Sequence, residues 1–178
     1  MRSASTEHPS GERPDAPTGV ARTTPLTALD RVPWGDIQDS TGSAAAIPLL
    51  LNGIAWGDAD TARSALDDLR KRICQFGFVV EQATAATVPF LWELAKLPQV
   101  TCRAEIIKLL RSIAEARQWE STAAVYPKLL NHRENPVAWE RAARQAVRDR
   151  RADLGRLMAD EDTEIARATT ELARSLGA

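Results

Sequence analysis

Ile47-Pro48-Leu49-Leu50 and Val88-Pro89-Phe90-Leu91 stand 41 residues apart and decide how this chain folds. Each places a proline one position after a β-branched residue, with a pair of large apolar residues behind it. Tyr126-Pro127-Lys128-Leu129-Leu130, 38 residues further on, is a weaker third copy. A second pattern follows the first. Asp58-Ala59-Asp60-Thr61-Ala62-Arg63 and Asp160-Glu161-Asp162-Thr163-Glu164-Ile165-Ala166-Arg167 each read as a short acidic turn leading into Ala-Arg. Asn135-Pro136-Val137-Ala138-Trp139-Glu140-Arg141-Ala142 is a looser version. Self-similarity near 40 residues is the mark of repeat architectures, in which each unit buries its apolar face against a neighbour.

The residues around these copies recur at helical spacing. Ile47, Leu50, Leu51 and Ile54 share one face, as do Ala62, Ala65, Leu66, Leu69 and Ile73. So do Trp139, Ala142, Ala143 and Ala146, and again Ile165, Ala168, Thr169, Leu172 and Leu176. Apolar residues at i, i+3, i+4 and i+7 line one side of a helix. Gly57, Gly77 and Gly177 suit left-handed helix ends. Asp58 or Asp60, and Asp160 or Asp162, suit helix starts. Pro98 suits a stop, and Pro136 suits a first turn. These signals predict helices near 26–40, 44–56, 60–75, 84–97, 101–117, 120–131, 136–151 and 152–176, the last broken around Asp160. Phe76-Gly77-Phe78-Val79-Val80 has strand character but is short, so a loop or helix end is expected there.

Composition narrows the function classes. The 178 residues carry 23 basic and 24 acidic side chains, a net charge of −1, which disfavours a uniformly basic nucleic-acid binder. The longest apolar run, residues 44–51, is far short of the roughly 20 residues that span a bilayer. With two cysteines, Cys74 and Cys102, there is no disulfide framework, and a reduced cytoplasmic protein is expected. Thirteen of the first 25 residues are Pro, Gly, Ser or Thr, which predicts a disordered N-terminal tail over 1–25 ahead of one domain over 26–178.

A spacing near 40 with two helices per unit resembles HEAT repeats. In that family a proline bends the first helix and an acidic turn leads into a second helix carrying an arginine. The resemblance makes Pro48, Pro89 and Pro127 the benders, and Arg63 and Arg167 the second-helix arginines. About half the chain is closer still to a group of bacterial, actinomycete-type HEAT-like proteins. The matching segments are Val32-Pro33-Trp34, Ile47-Pro48-Leu49-Leu50-Leu51, Gly57-Asp58, Gln75-Phe76-Gly77 and Ala83-Thr84-Ala85-Ala86-Thr87-Val88-Pro89-Phe90-Leu91. Gln75 stands where that group has histidine, and Glu81 where it has tyrosine. The group implies an architecture more than a chemistry.

A search for chemistry returns little. There is no Gly-rich phosphate loop, His-Glu-x-x-His or Gly-x-Ser-x-Gly. His8 and His132 are the two histidines, the latter expected in a solvated loop. The cysteines lack four-ligand zinc spacing. Asp58-Ala59-Asp60 and Asp160-Glu161-Asp162 lack the later ligands and glycine of a calcium loop, and fit helix capping better. No catalytic, metal or cofactor-binding residue is assigned. The five tryptophans, at 34, 56, 92, 119 and 139, are read mainly as packing residues, with an exposed one as a binding anchor. Arg141, Arg144, Arg148 and Arg151 recur at i, i+3, i+7 and i+10, which predicts one cationic helix face.

These readings predict an all-α fold: a right-handed α-solenoid of about four HEAT-like helical hairpins. The expected function is non-catalytic protein binding, as an adaptor or inhibitor, an immunity protein against a bacterial toxin being one such case. Trp92, Trp139, Arg141, Arg144, Arg148 and Arg151 are the candidate partner contacts. The alternative is nucleic-acid binding through the arginines of residues 141–156. No membrane association is expected.

Overall fold

Asp58 starts a helix because its carboxylate accepts the free amide of Thr61 at 2.8 Å, and the chain behind it presents Ala62, Ala65, Leu66, Leu69 and Ile73 on one buried face. That segment is α2 (Ala59–Ile73) of a mostly helical chain. The computed structural model describes residues 26–130 and 133–177. The expected N-terminal tail and His132 lie outside them. The other helices are α1 (Ile47–Trp56), α3 (Thr84–Ala95), α4 (Arg103–Glu115), α5 (Gln118–Val125), α6 (Pro136–Asp149), α7 (Leu154–Met158) and α8 (Thr163–Leu176). Short 3-10 turns precede α1 and follow α5, at Ala44–Ala46 and Pro127–Leu129.

The two acidic turns behave alike. Asp162 caps α8 by accepting the amide of Glu164 at 2.9 Å, and Arg167 pairs with Glu164 as Arg63 pairs with Asp60. Gly177 ends α8 in the left-handed conformation, as expected. Pro136 opens α6, where Asn135 caps by accepting the amide of Ala138. α1 packs on α2, α3 on α4 and on α6, α4 on α6 and α8, and α7 on α8.

The predicted helix over 26–40 does not form. Leu29–Arg31 makes one 3-10 turn. Pro33 then restricts Val32 to extended backbone, and Gly42, at φ 121°, turns the chain into a small antiparallel pair, β1 (Gln38–Asp39) with β2 (Gly42–Ser43). The Asp39 side chain is buried in that turn, held by Thr41 and by Arg72 at 2.9 Å. Ser40 donates through Oγ to the Lys71 carbonyl, so the turn caps the end of α2. Trp34 is buried, with its indole N–H on the Leu29 carbonyl and its ring against Phe90.

The segment expected as a loop at 76–80 is a hairpin, β3 (Cys74–Gln75) with β4 (Val79–Val80). Phe76 and Gly77 take φ of 55° and 82° at its tip, consecutive left-handed residues that suit the twist of a tight hairpin. Gly77 therefore serves a hairpin rather than a helix end. Gly57, unlike Gly77, is not left-handed (φ −72°). It is needed for room: a Cβ there would sit 2.5 Å from the Gly53 carbonyl oxygen and 2.7 Å from the Thr61 methyl.

The three repeat prolines occupy unlike positions. Pro48 lies in the first turn of α1, where no hydrogen bond is lost, Pro89 lies inside α3, and Pro127 opens the 3-10 turn after α5. Only Pro89 stands where a bending proline was expected. Their surroundings differ too, since Leu49 is 76% exposed whereas its counterpart Phe90 is buried. Among the described residues, no helix is long and apolar enough to cross a membrane.

Because the Gly53 carbonyl oxygen of α1 and the Thr61 side chain of α2 block a Cβ at position 57, Gly57→Ala should destabilise the fold by about 1–3 kcal/mol. A lowered urea midpoint with an unchanged slope would show it. Gly77→Ala should cost less room but more backbone strain.

Candidate functional site

The arginines of α6 divide between interior and surface. The face expected inward carried Trp139, Ala142, Ala143 and Ala146. The buried residues are instead Pro136, Glu140, Ala143, Arg144 and Val147, so α6 is turned to bury an ion pair. Glu140 is wholly buried and Arg144 is 6% exposed, 3.2 Å apart between Oε1 and Nη1.

Their partners explain the burial. α4 ends at Glu115 and α5 begins at Gln118, which leaves unpaired carbonyls on one side of the turn and unpaired amides on the other. Arg144 donates to the Ala116 carbonyl at 2.8 Å. Glu140 accepts the amides of Trp119 at 2.9 Å and Glu120 at 3.1 Å. Cation and anion thus each meet the helix end whose dipole they oppose. Arg144 also reaches Glu120, which Arg141 holds at 2.9 Å from the solvent side. Hydrogen bonds from Arg141 and then Arg144 pull the Glu120 carboxyl down to about 2. Finally, the Trp119 indole N–H donates to the Val80 carbonyl at 2.9 Å and ties this turn to β4.

The six candidate contacts therefore separate. Arg144 is spent inside the molecule, and Trp92 is wholly buried in α3, with its indole nitrogen unpaired. Both are removed from the surface. Trp139 is half-buried, and Arg141, Arg148 and Arg151 are exposed. They do not form one helix face, because α6 ends at Asp149 and Arg151 belongs to the next turn. Among the described residues, Arg148, Arg151 and Arg156 are exposed cations without an ion pair, whereas Arg150 pairs with Glu93 at 3.1 Å.

Sequence reasoning passed over two features. One is Glu81, half-buried after β4. Burial foremost, with Asp39 and then Glu134 nearby, pushes its carboxyl up to about 7. Only the fold brings those three acids near one another, so no spacing in the sequence announces it. The other is the β3–β4 tip. Phe76 is 83% exposed and Phe78 48%, with ring centroids 6.2 Å apart. A cleft of about 370 Å³ opens beside it, between the end of α2 and the middle of α4. Its signal lay in Gln75-Phe76-Gly77-Phe78, two aromatics around a glycine.

Both cysteines are buried, and burial lifts the Cys74 thiol to about 12 and the Cys102 thiol to about 11, which leaves neither an active nucleophile at neutral pH. Among the described residues no group of three or more His, Cys, Asp or Glu side chains is arranged to hold a metal ion. No family model matches the chain, nor does any curated protein or solved structure.

Glu140→Ala should cost about 1–3 kcal/mol, because it leaves the Trp119 and Glu120 amides without their acceptor, while Arg144 keeps the Glu120 carboxylate and the Ala116 carbonyl. Glu140→Gln, which keeps an acceptor for the α5 amides, should cost less in the same denaturation series. The pH dependence of stability has two arms with opposite signs. Glu120 is depressed in the fold, so its contribution is present above about 4.5 and lost as pH falls toward 2, and Glu120→Gln should flatten that acid arm. Glu81 is raised, so the folded state holds its proton more tightly and stability falls as pH rises from about 4.5 through 7. Glu81→Gln should remove that second loss and melt higher than the parent at pH 8.

Proposed function

We propose that this chain is a non-catalytic protein-binding scaffold, a short HEAT-like solenoid that acts as an adaptor or inhibitor of the protein it holds. The solenoid reading is supported by the two-residue link between α1 and α2, by α3 packing on α4, and by α6 and α8 extending the stack from α3 and α4 respectively. α5 is an excursion that breaks the regular pairing.

One observation carries the binding reading. Phe76 takes a left-handed conformation that costs an ordinary residue about 1–2 kcal/mol. A residue so strained is kept when something offsets the strain, and burial does not, because the ring is 83% exposed. Phe78 widens the same apolar tip. The base of the hairpin is anchored: Thr84 Oγ1 donates to the Ile73 carbonyl at 2.6 Å, and the Trp119 indole donates to the Val80 carbonyl. An exposed pair of aromatics on an anchored hairpin is suited to serve as the anchor of a protein interface, since an aromatic ring has few rotatable bonds to immobilise on docking.

The second reading is nucleic-acid binding, favoured by the unpaired Arg148, Arg151 and Arg156. Against it stand the net charge of −1 and the loss of Arg144 to the interior.

Phe76→Asn separates binding from folding, because asparagine tolerates the left-handed region. The variant should melt no lower than the parent. In affinity purification from the cells that encode the chain, it should recover its stoichiometric protein partner at least about tenfold less well, a loss of about 1.4 kcal/mol. Equal recovery with the variant, or no stoichiometric protein with the parent, would sink the proposal. Tight binding of duplex DNA at about 50 mM salt, abolished by Arg148→Glu with Arg151→Glu, would favour the rival.

A further inference from the structure

The cleft beside the aromatic tip has a sign. Arg70 and Lys71 come from the last turn of α2, Lys108 and Ser112 from α4, and no acidic side chain lines it. Its floor is apolar, made by Leu109 and the buried Cys74, and Phe76 stands at its edge. These cations have acidic partners at the solvent surface: Asp67 lies 3.8 Å from Arg70, Asp68 accepts a hydrogen bond from Lys71 at 3.2 Å, and Glu164 lies 3.6 Å from Lys108. All six of these side chains are more than two-fifths exposed. Such pairs contribute little in water, so an incoming carboxylate can displace them at small cost.

Resting on the protein-binding reading above, we propose that this cleft receives an acidic, extended segment of the partner protein. One apolar side chain of that segment enters against Leu109 and Phe76, and flanking carboxylates meet Arg70, Lys71 and Lys108. The volume, about 370 Å³, holds a side chain with its own backbone rather than a folded element. Charge complementarity selects carboxylates over basic peptides and would also speed encounter. A nucleic acid is a poorer match, because the apolar lining of Leu109, Cys74 and Phe76 seats an apolar side chain and offers a phosphate nothing.

Panning a random-peptide display library on the full-length chain tests this. The expected selection is Leu, Phe or Trp flanked by Asp and Glu. Fluorescence anisotropy on a synthetic peptide of the selected sequence then compares the parent with Phe76→Asn, Lys71→Ala/Lys108→Ala and Lys71→Glu/Lys108→Glu. The alanine pair should weaken binding severalfold and the glutamate pair by at least about tenfold, with circular dichroism unchanged. Raising salt from about 50 to about 300 mM should weaken the parent complex more than the alanine variant. Selected peptides that are neutral or basic yet need Phe76 would overturn the acidic-segment assignment and leave protein binding standing. Acidic peptides indifferent to Lys71 and Lys108 would overturn it as well, as would displacement by a short oligonucleotide. An empty selection counts against the cleft alone if affinity purification still yields a partner that needs Phe76, and against both proposals if it does not.

Discussion

Two-sided burial of α4 is the constraint from which the rest of the molecule follows. Ile106 and Ile107 are neighbours in the chain and both are wholly buried, as is Leu110, with Leu109 at 2%. Successive residues point roughly 100° apart on a helix, so adjacent buried pairs mean that more than half the circumference is covered. α3 and α6 cover part of it, and α8 covers another part. Such a helix has no stability as a free amphipathic segment. It exists only when the elements before and after it in the chain have closed over it.

Closure brings a polar problem with it. A helix enclosed on two sides must end inside or near the interior, where water cannot reach its last carbonyls. Arg144 and Glu140 solve this from α6 by taking the Ala116 carbonyl and the first amides of α5 together. A buried ion pair by itself is weak evidence of stabilisation, because desolvation cancels much of the attraction. Here each charge also satisfies backbone groups that would otherwise be stranded. The pair therefore fixes where α5 leaves α4, and Trp119, next in that turn, fixes where the β3–β4 hairpin sits. The position of an exposed loop thus depends on a charge pair wholly inside the fold.

The helices were legible in the sequence wherever apolar spacing and capping residues agreed. On α2 and α8 the buried faces and the Gly177 end follow from the pattern, which also narrows each cap to two aspartates, of which Asp58 and Asp162 serve, because burial of aliphatic residues and backbone capping dominate there. On α6 the pattern misleads. Its apolar residues are mostly alanines, which bury too little area to orient a helix, so the ion pair sets the rotation instead. Reading Arg141, Arg144, Arg148 and Arg151 as one stripe fails for the same reason: spacing records which residues share a face, not which face turns inward. The prolines show the limit of self-similarity. Pro48 and Pro89 belong to matching tetrapeptides, but one starts a helix and the other sits within one, because the residues before them differ. The β1–β2 turn was illegible as a helix-breaker of tertiary importance, since Asp39 gains its meaning only when Arg72 arrives beside it.

Trp92 and Phe76 together define the functional contrast. Large aromatics in a small helical protein are expected inside, and Trp92 meets that expectation so fully that its indole nitrogen has no partner. Phe76 inverts it, with an aromatic ring in solvent on a backbone that disfavours any side chain. Packing explains the first residue and leaves the second without a purpose in the free chain. Interior and hairpin tip thus answer to different demands, one to enclosing α4 and the other, on the proposed reading, to a protein partner. The cationic cleft adjoins this exposed tip, and none of the exposed arginines 148, 151 and 156 lines it. Convergence of strain, exposure and charge at one place is what distinguishes the β3–β4 edge from the rest of the surface.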